Sequence, residues 1–123
     1  MSDEISRLPP QVQERLLRLQ QLQQTLQSIL AQKQQVEMEK TEVEQTIAEL
    51  QKTADDSVIY KAIGSLMVKA EKAKISEELF ERKELLTTRS TVLAKQEERI
   101  RSQVKEAQTK LQEDLSPISQ SSS

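Results

Sequence analysis

The stretch VIYKAIGSLMVK, residues 58–69, decides how this chain folds. Its neighbours on both sides are dominated by Gln, Glu, Lys, Leu and Ala. Inside it stand the single glycine, Gly64, and the single tyrosine, Tyr60. Two runs that are mostly β-branched or apolar, residues 58–63 and 66–70, are divided by Gly64-Ser65. Such a division is a β-hairpin signal, because glycine supplies the positive φ that a type II′ turn requires at its first central position. A helix continued through the stretch would have to carry the β-branched residues and Gly64, all weak helix formers.

With that turn, Ile59, Lys61, Ile63, Leu66, Val68 and Ala70 share one face of the hairpin. Val58, Tyr60, Ala62, Met67 and Lys69 share the other. Both faces are largely apolar. An isolated two-stranded hairpin is marginal in water, and this one offers two unpaired edges to other chains. Val58, Ile59, Tyr60, Ile63, Gly64, Leu66, Met67 and Val68 are therefore the candidate assembly residues, completing their sheet in other subunits.

The flanks read as coiled coil. Val12, Leu19, Leu26 and Ile47 fall on one seven-residue series, and Leu8, Leu22, Ile29, Val36, Val43 and Leu50 on a second, three residues later. These are the two seam positions of a heptad, interrupted at Arg15, Lys33 and Lys40. Ten of the 25 residues in 11–35 are Gln, which alone would suggest a polar low-complexity tract, but the apolar spacing argues for a helix. Beyond the hairpin, Leu79, Leu86, Leu93, Ile100 and Ala107 form one series. Lys83, Ser90, Glu97, Val104 and Leu111 form the other. Ser76 offers an N-cap with Glu77 and Glu78 in the first turn, and Pro117 a stop. The expected layout is a flexible arm over 1–10, a first coiled-coil helix over 11–53, a hairpin segment over 54–75, a second helix over 76–115 and a flexible tail over 116–123. Helices of about 60 Å each can fold back on one another. The fold class is mainly α: an antiparallel two-helix coiled coil with a β-hairpin between the helices.

Composition narrows the function. Aromatics are 2% and charged residues 31% of the 123 residues, so there is little aromatic area for a compact globular core. There is no Cys and no His, which removes disulfides, thiolate chemistry, the usual zinc ligands and the commonest general base. One glycine cannot make a glycine-rich phosphate loop. The acidic pairs Asp55-Asp56 and Glu97-Glu98 read as a turn and a solvated helix face. Lys69, Lys72 and Lys74 lack the aromatic neighbours that stack on bases, and the formal net charge of −2 does not favour nucleic acid or anionic membrane. No enzyme and no cofactor is expected. The start of the chain shows no apolar signal region, and the absence of Cys suits a reducing, cytoplasmic setting.

Three segments, LPPQVQERLLRLQQLQQTLQSILAQKQQVEMEKTEVE, VIYKAIGSLMVKA and LAKQEERIRSQVKEAQTKLQEDL, together resemble the β subunits of the prefoldin family. The archaeal type is the better match, and it is similar to the eukaryotic chain called prefoldin subunit 6. YKAIGSLMVK is the most specific part, since heptads alone match many unrelated coiled coils. The single hairpin matches the β class; the α class carries a longer insertion with two hairpins. The resemblance implies a prefoldin-like fold and a hexamer of two α and four β subunits, with the hairpins forming a platform. It also implies capture of non-native proteins at the coiled-coil tips, without ATP, and their delivery to a group II chaperonin.

The helix ends carry more leucine than a two-helix seam needs. Leu8, Val12, Leu16, Leu17 and Leu19 crowd the start of the first helix, and Val104, Leu111, Leu115 and Ile118 the end of the second. In an antiparallel hairpin they meet at the free tip, and they are the candidate client-binding residues. An adaptable apolar surface can repack around many partners. A structural coiled-coil adaptor that docks through its hairpin remains the alternative function.

Overall fold

A computed structural model describes the chain from Arg7 to Ser121, with side chains to Ser116. Two long helices bracket one small antiparallel sheet: α1 (Pro10–Gln51), β1 (Ile59–Ile63), β2 (Leu66–Ala70) and α2 (Lys72–Ser121). The Pro9 carbonyl accepts the amides of Val12 and Gln13 at 3.0 and 3.1 Å, which makes Pro10 the first helical residue. Proline is suited to that place: its φ is already helical and its missing N–H would have had no partner. The Gln13 amide side chain donates to the Leu8 carbonyl at 2.7 Å. The last part of the expected N-terminal arm is thus held against the helix, while residues 1–6 lie outside the described residues.

α1 closes without a glycine cap. The Thr53 hydroxyl donates to the Leu50 carbonyl at 2.6 Å, and the Lys52 and Thr53 amides bond to the Glu49 and Leu50 carbonyls at 3.2 and 3.1 Å, tightening the last turn. A turn closed by the Ser57 amide on the Ala54 carbonyl at 3.0 Å leads into β1.

α2 differs from the sequence expectation at both ends. It starts at Lys72, not Ser76, with the Ile75 amide bonded to the Glu71 carbonyl at 3.0 Å. The early start has an anchor: Lys72 Nζ donates to the Thr53 carbonyl at 2.7 Å and to Asp55 Oδ1 at 3.2 Å, tying the first helical residue to the end of α1. Contact with a neighbouring segment outweighs the local preference for a serine cap. At the other end the backbone stays helical past Pro117 to Ser121. Proline's fixed φ is helical, and the one hydrogen bond it removes, to the Glu113 carbonyl, falls in the last turns of the helix. The tail residues 122–123 lie outside the described residues.

The hairpin register pairs Ile59 with Ala70, Tyr60 with Lys69, Lys61 with Val68, Ala62 with Met67 and Ile63 with Leu66. Directly opposed residues share a face, so the two faces are those the sequence indicates. Gly64 has φ of 58°, and no non-glycine residue has positive φ among the described residues. Positive φ at the first central position alone is the mark of a type II′ turn.

The chain divides into two compact units, residues 1–32 with 93–123 and residues 33–92. In the first, Val12, Leu22, Ile29, Leu93 and Ile100 are buried; in the second, Val36, Ile47, Leu50 and Leu86 are. All nine occupy seam positions of the two heptad patterns. Polar seam residues Arg15, Lys33, Lys40, Lys83, Ser90 and Glu97 are half-buried. Long charged side chains manage this by laying their stems along the seam while their heads reach out. Within the second unit, Glu37 accepts from the Ser90 hydroxyl at 2.6 Å, Arg82 meets Glu39 at 3.1 Å, and Lys72 meets the Thr53 carbonyl. The partners on α2 fall broadly in number as those on α1 rise, so the two helix segments there run antiparallel.

Candidate functional site

Two surfaces carry the candidate residues, one in each unit. In residues 33–92 it is the hairpin. Val58, Tyr60, Ile63, Leu66, Met67 and Val68 are between 44% and 66% exposed. Ile59 and Ala70, which pair at the base of the hairpin, are half-buried. Lys61 Nζ bonds to Glu78 Oε2 at 2.7 Å, drawing one face toward the first turns of α2. A cleft there is lined by Lys61, Val68, Ala70, Lys74, Ile75 and Glu78. The opposite face, with Val58, Tyr60 and Met67, stands open. The arrangement is chemically suited to strand pairing and apolar burial, since six large apolar side chains and two strand edges are uncovered within the chain.

In the other unit the candidate residues surround the ends of the two helices. Val12, at 2% exposed, is a sealed seam residue whose area the coil already uses. Leu8, Leu16, Leu19, Val104, Leu111 and Leu115 are half-buried. Leu17 is 56% exposed and contributes nothing to the seam. Ile118 lies outside the residues whose side chains are described.

One feature of this region escaped the sequence reading. Arg15 breaks the apolar series of α1, and its guanidinium Nε forms an ion pair with Asp114 Oδ2; the side chains are 29% and 25% exposed. The signal was available: Asp114 is the next member, seven on from Ala107, of the series Leu79, Leu86, Leu93, Ile100 and Ala107. Stepping inward by one heptad on each helix brings Leu22 level with Ala107. Both border a groove of about 450 Å³, rimmed by Gln11, Glu14, Arg15, Arg18, Gln103, Glu106 and Lys110.

Among the described residues no group of three or more His, Cys, Asp or Glu side chains is placed to hold a metal ion. No helix there is long and apolar enough to cross a membrane.

Comparison with known proteins agrees with this geometry. The family model for a prefoldin subunit matches residues 13–117. A prefoldin β subunit from Methanothrix thermoacetophila is 50% identical over 108 residues, covering 88% of this chain and 90% of the relative. One from Archaeoglobus fulgidus is 46% identical over 110 residues, covering 89% and 95%. The crystal structure of the prefoldin β subunit from Thermococcus strain KS-1 superposes with a TM-score of 0.82 at 40% identity, covering 90% of this chain and 97% of that one. The hairpin between two heptad helices, and similarity across nearly the whole length, place the chain in the prefoldin family of chaperone subunits, among its β-type members.

Proposed function

We propose that the chain is one subunit of a cytoplasmic, ATP-independent holdase that assembles through its hairpin and grips non-native polypeptides with its helix ends. The partner is an α-type prefoldin subunit, in a hexamer of two α and four β chains, and clients pass from it to a group II chaperonin. The observation that carries the reading is the uncovered hairpin. Ile63, Leu66, Met67 and Val68 are 53%, 65%, 66% and 44% exposed around a preformed type II′ turn. An apolar, edge-bearing sheet of two strands is an unfinished structure, and strand addition from other subunits would finish it.

The helix ends supply the second half of the reading. Leu17 is free of the seam, and Leu8, Leu16 and Leu115 are only partly covered. Burial of client apolar surface there would contribute about 25 cal/mol per Å². Single contacts of this size are weak, so an assembly bearing several helix-end pairs would act by avidity.

The test replaces Ile63 and Val68 by Asp. A charge placed in a buried strand joint is strongly unfavourable, so helix content should persist while the oligomer is lost, as read by native mass spectrometry with a co-expressed α-type subunit. In parallel, Leu8, Leu16 and Leu17 are replaced by Ser, and light scattering of a denatured client follows aggregation. Suppression should weaken with the oligomer intact. Retention of the hexamer by the Asp variant would remove the hairpin as the joint. Docking on one partner with no suppression of aggregation would support the structural adaptor instead.

A further inference from the structure

We infer that Met67 is a modification site: in the unassembled chain its thioether is open to hydrogen peroxide, and the sulfoxide formed there bars the hairpin from its joint. The inference rests on the proposed assembly through the hairpin and adds a chemical control to it. The chain has no Cys and three methionines, Met1, Met38 and Met67. With no thiol to take the oxidant first, oxidation of sulfur falls on the thioethers. Met67 is 66% exposed and Met38 60%; Met1 lies outside the described residues. Exposure does not separate the two described methionines, but their places in the fold do.

Met67 lies in β2, directly opposite Ala62. Alanine is too small to cover it from across the strand pair. Val58 and Tyr60, on the same face, are themselves 61% and 57% exposed. Strand addition fixes the backbone of the hairpin, so burial of this face carries the Met67 side chain into apolar contact. Methionine suits such a joint, being unbranched, apolar and adaptable. Met38 stands instead in α1, between Glu37 and Glu39. In that acidic, solvent-facing surrounding a polar sulfoxide costs little.

Peroxide alone balances the reaction. The sulfur lone pair attacks one peroxide oxygen, the S–O bond forms and the O–O bond breaks. The departing hydroxide takes the proton from the transferred oxygen and leaves as water. Sulfur is oxidised by two electrons and the peroxide is reduced by two. The product is polar and chiral, and burying its oxygen without a hydrogen-bond donor is unfavourable. Oxidation and assembly therefore exclude each other: the sulfoxide weakens the joint, and the joint shields the thioether. Sulfoxide reductases return the thioether, which makes the change reversible.

The test treats the full-length chain with hydrogen peroxide, quantifies oxidation at each methionine by peptide mass spectrometry, and mixes the treated chain with an α-type prefoldin subunit. Native mass spectrometry should show assembly weakened by about tenfold or more in chains carrying Met67 sulfoxide, the size expected of one buried polar group left unpaired. The two epimer-specific sulfoxide reductases should restore it. In the preformed assembly Met67 should oxidise about fivefold more slowly than in the free chain, with the Met38 rate unchanged. Met38→Leu should be as sensitive to peroxide as wild type. Met67→Leu, compared with its own untreated sample, should lose less than about twofold. Full assembly of chains carrying Met67 sulfoxide overturns the inference. So does an equal loss in treated Met67→Leu, which would put the lesion elsewhere; both results leave the hairpin joint standing. Assembly that survives Ile63→Asp with Val68→Asp overturns the joint and this inference with it.

Discussion

Gly64 allows a conformational effect to be separated from a steric one. Its φ of 58° lies in the left-handed region, and a Cβ built there meets nothing within 4 Å. Any penalty on substitution must therefore come from the backbone and not from a clash. The left-handed region costs an L-residue about 1–2 kcal/mol, with a β-branched side chain toward the top of the 1–3 kcal/mol range for strained backbones. Asparagine, which visits this region readily, costs least. At 1.4 kcal/mol per factor of ten, about 1 kcal/mol for Ala shifts the hairpin equilibrium roughly fivefold, and about 2 kcal/mol for Val roughly thirtyfold. Such shifts are visible because an exposed two-stranded hairpin has little stability in reserve. The measurement is amide hydrogen exchange over residues 59–70 in Gly64→Asn, Gly64→Ala and Gly64→Val. Protection should fall in the order Gly, Asn, Ala, Val, with exchange in the two helices unchanged. Equal protection in the glycine and valine proteins would show that the turn is held by something other than its φ.

Leu86, 2% exposed, is the most completely buried large side chain; Leu86→Ala should lower unfolding free energy by about 2–5 kcal/mol in urea titration, whereas Leu85→Ala, at a position 61% exposed, should change it by under about 0.5 kcal/mol. The Lys61–Glu78 pair is 45% and 41% exposed, so a double-mutant cycle should return under about 1 kcal/mol, shrinking with added salt. The Lys72 side chain is only 17% exposed and bonds to a backbone carbonyl; Lys72→Met should leave the Thr53 carbonyl without that donor and raise exchange at the first turn of α2, an outcome checked by peptide-level hydrogen exchange.

The elements that were legible in the sequence are those fixed by periodicity or by one special dihedral. Heptad spacing located the seam of both helices, because burying a stripe on each helix forces a seven-residue repeat, and the nine residues buried among those described all lie on it. Gly64 located the turn, and two-residue alternation then set both faces of the hairpin. Ends were less legible. Ser76 has the right chemistry for a cap, but the α2 start is decided by where Lys72 finds oxygen atoms on a segment nineteen positions earlier, and no local pattern carries that. The candidate client residues were read from an excess of leucine, which cannot distinguish Val12, sealed in the seam, from Leu17, outside it. Heptad phase does distinguish them: Val12 lies on a seam series and Leu17 does not.

The Arg15–Asp114 pair also bears on how the helix ends choose their register. A heptad pattern alone is satisfied by any slip of seven residues, since apolar side chains meet apolar side chains again. In the observed alignment Arg15 meets Asp114, and Leu22 stands level with Ala107. Slipping one way sets Arg15 level with Ala107 and Asp114 level with Leu8. Slipping the other sets Asp114 level with Leu22. Either slip leaves both charges partly covered and unpaired, and a part-buried charge without its partner is disfavoured far more than the pair is favoured. Polar seam residues thus work against wrong alignments more than they strengthen the right one. The prediction is a swap: Arg15→Asp with Asp114→Arg should restore the wild-type alignment, judged by disulfide trapping between cysteines placed at Arg18 and Lys110, which are level in the observed alignment, or at Arg18 and Gln103, which are level after a one-heptad slip. Each single substitution should admit slipped pairs, and a single variant that traps only the native alignment would show that apolar packing alone fixes the register.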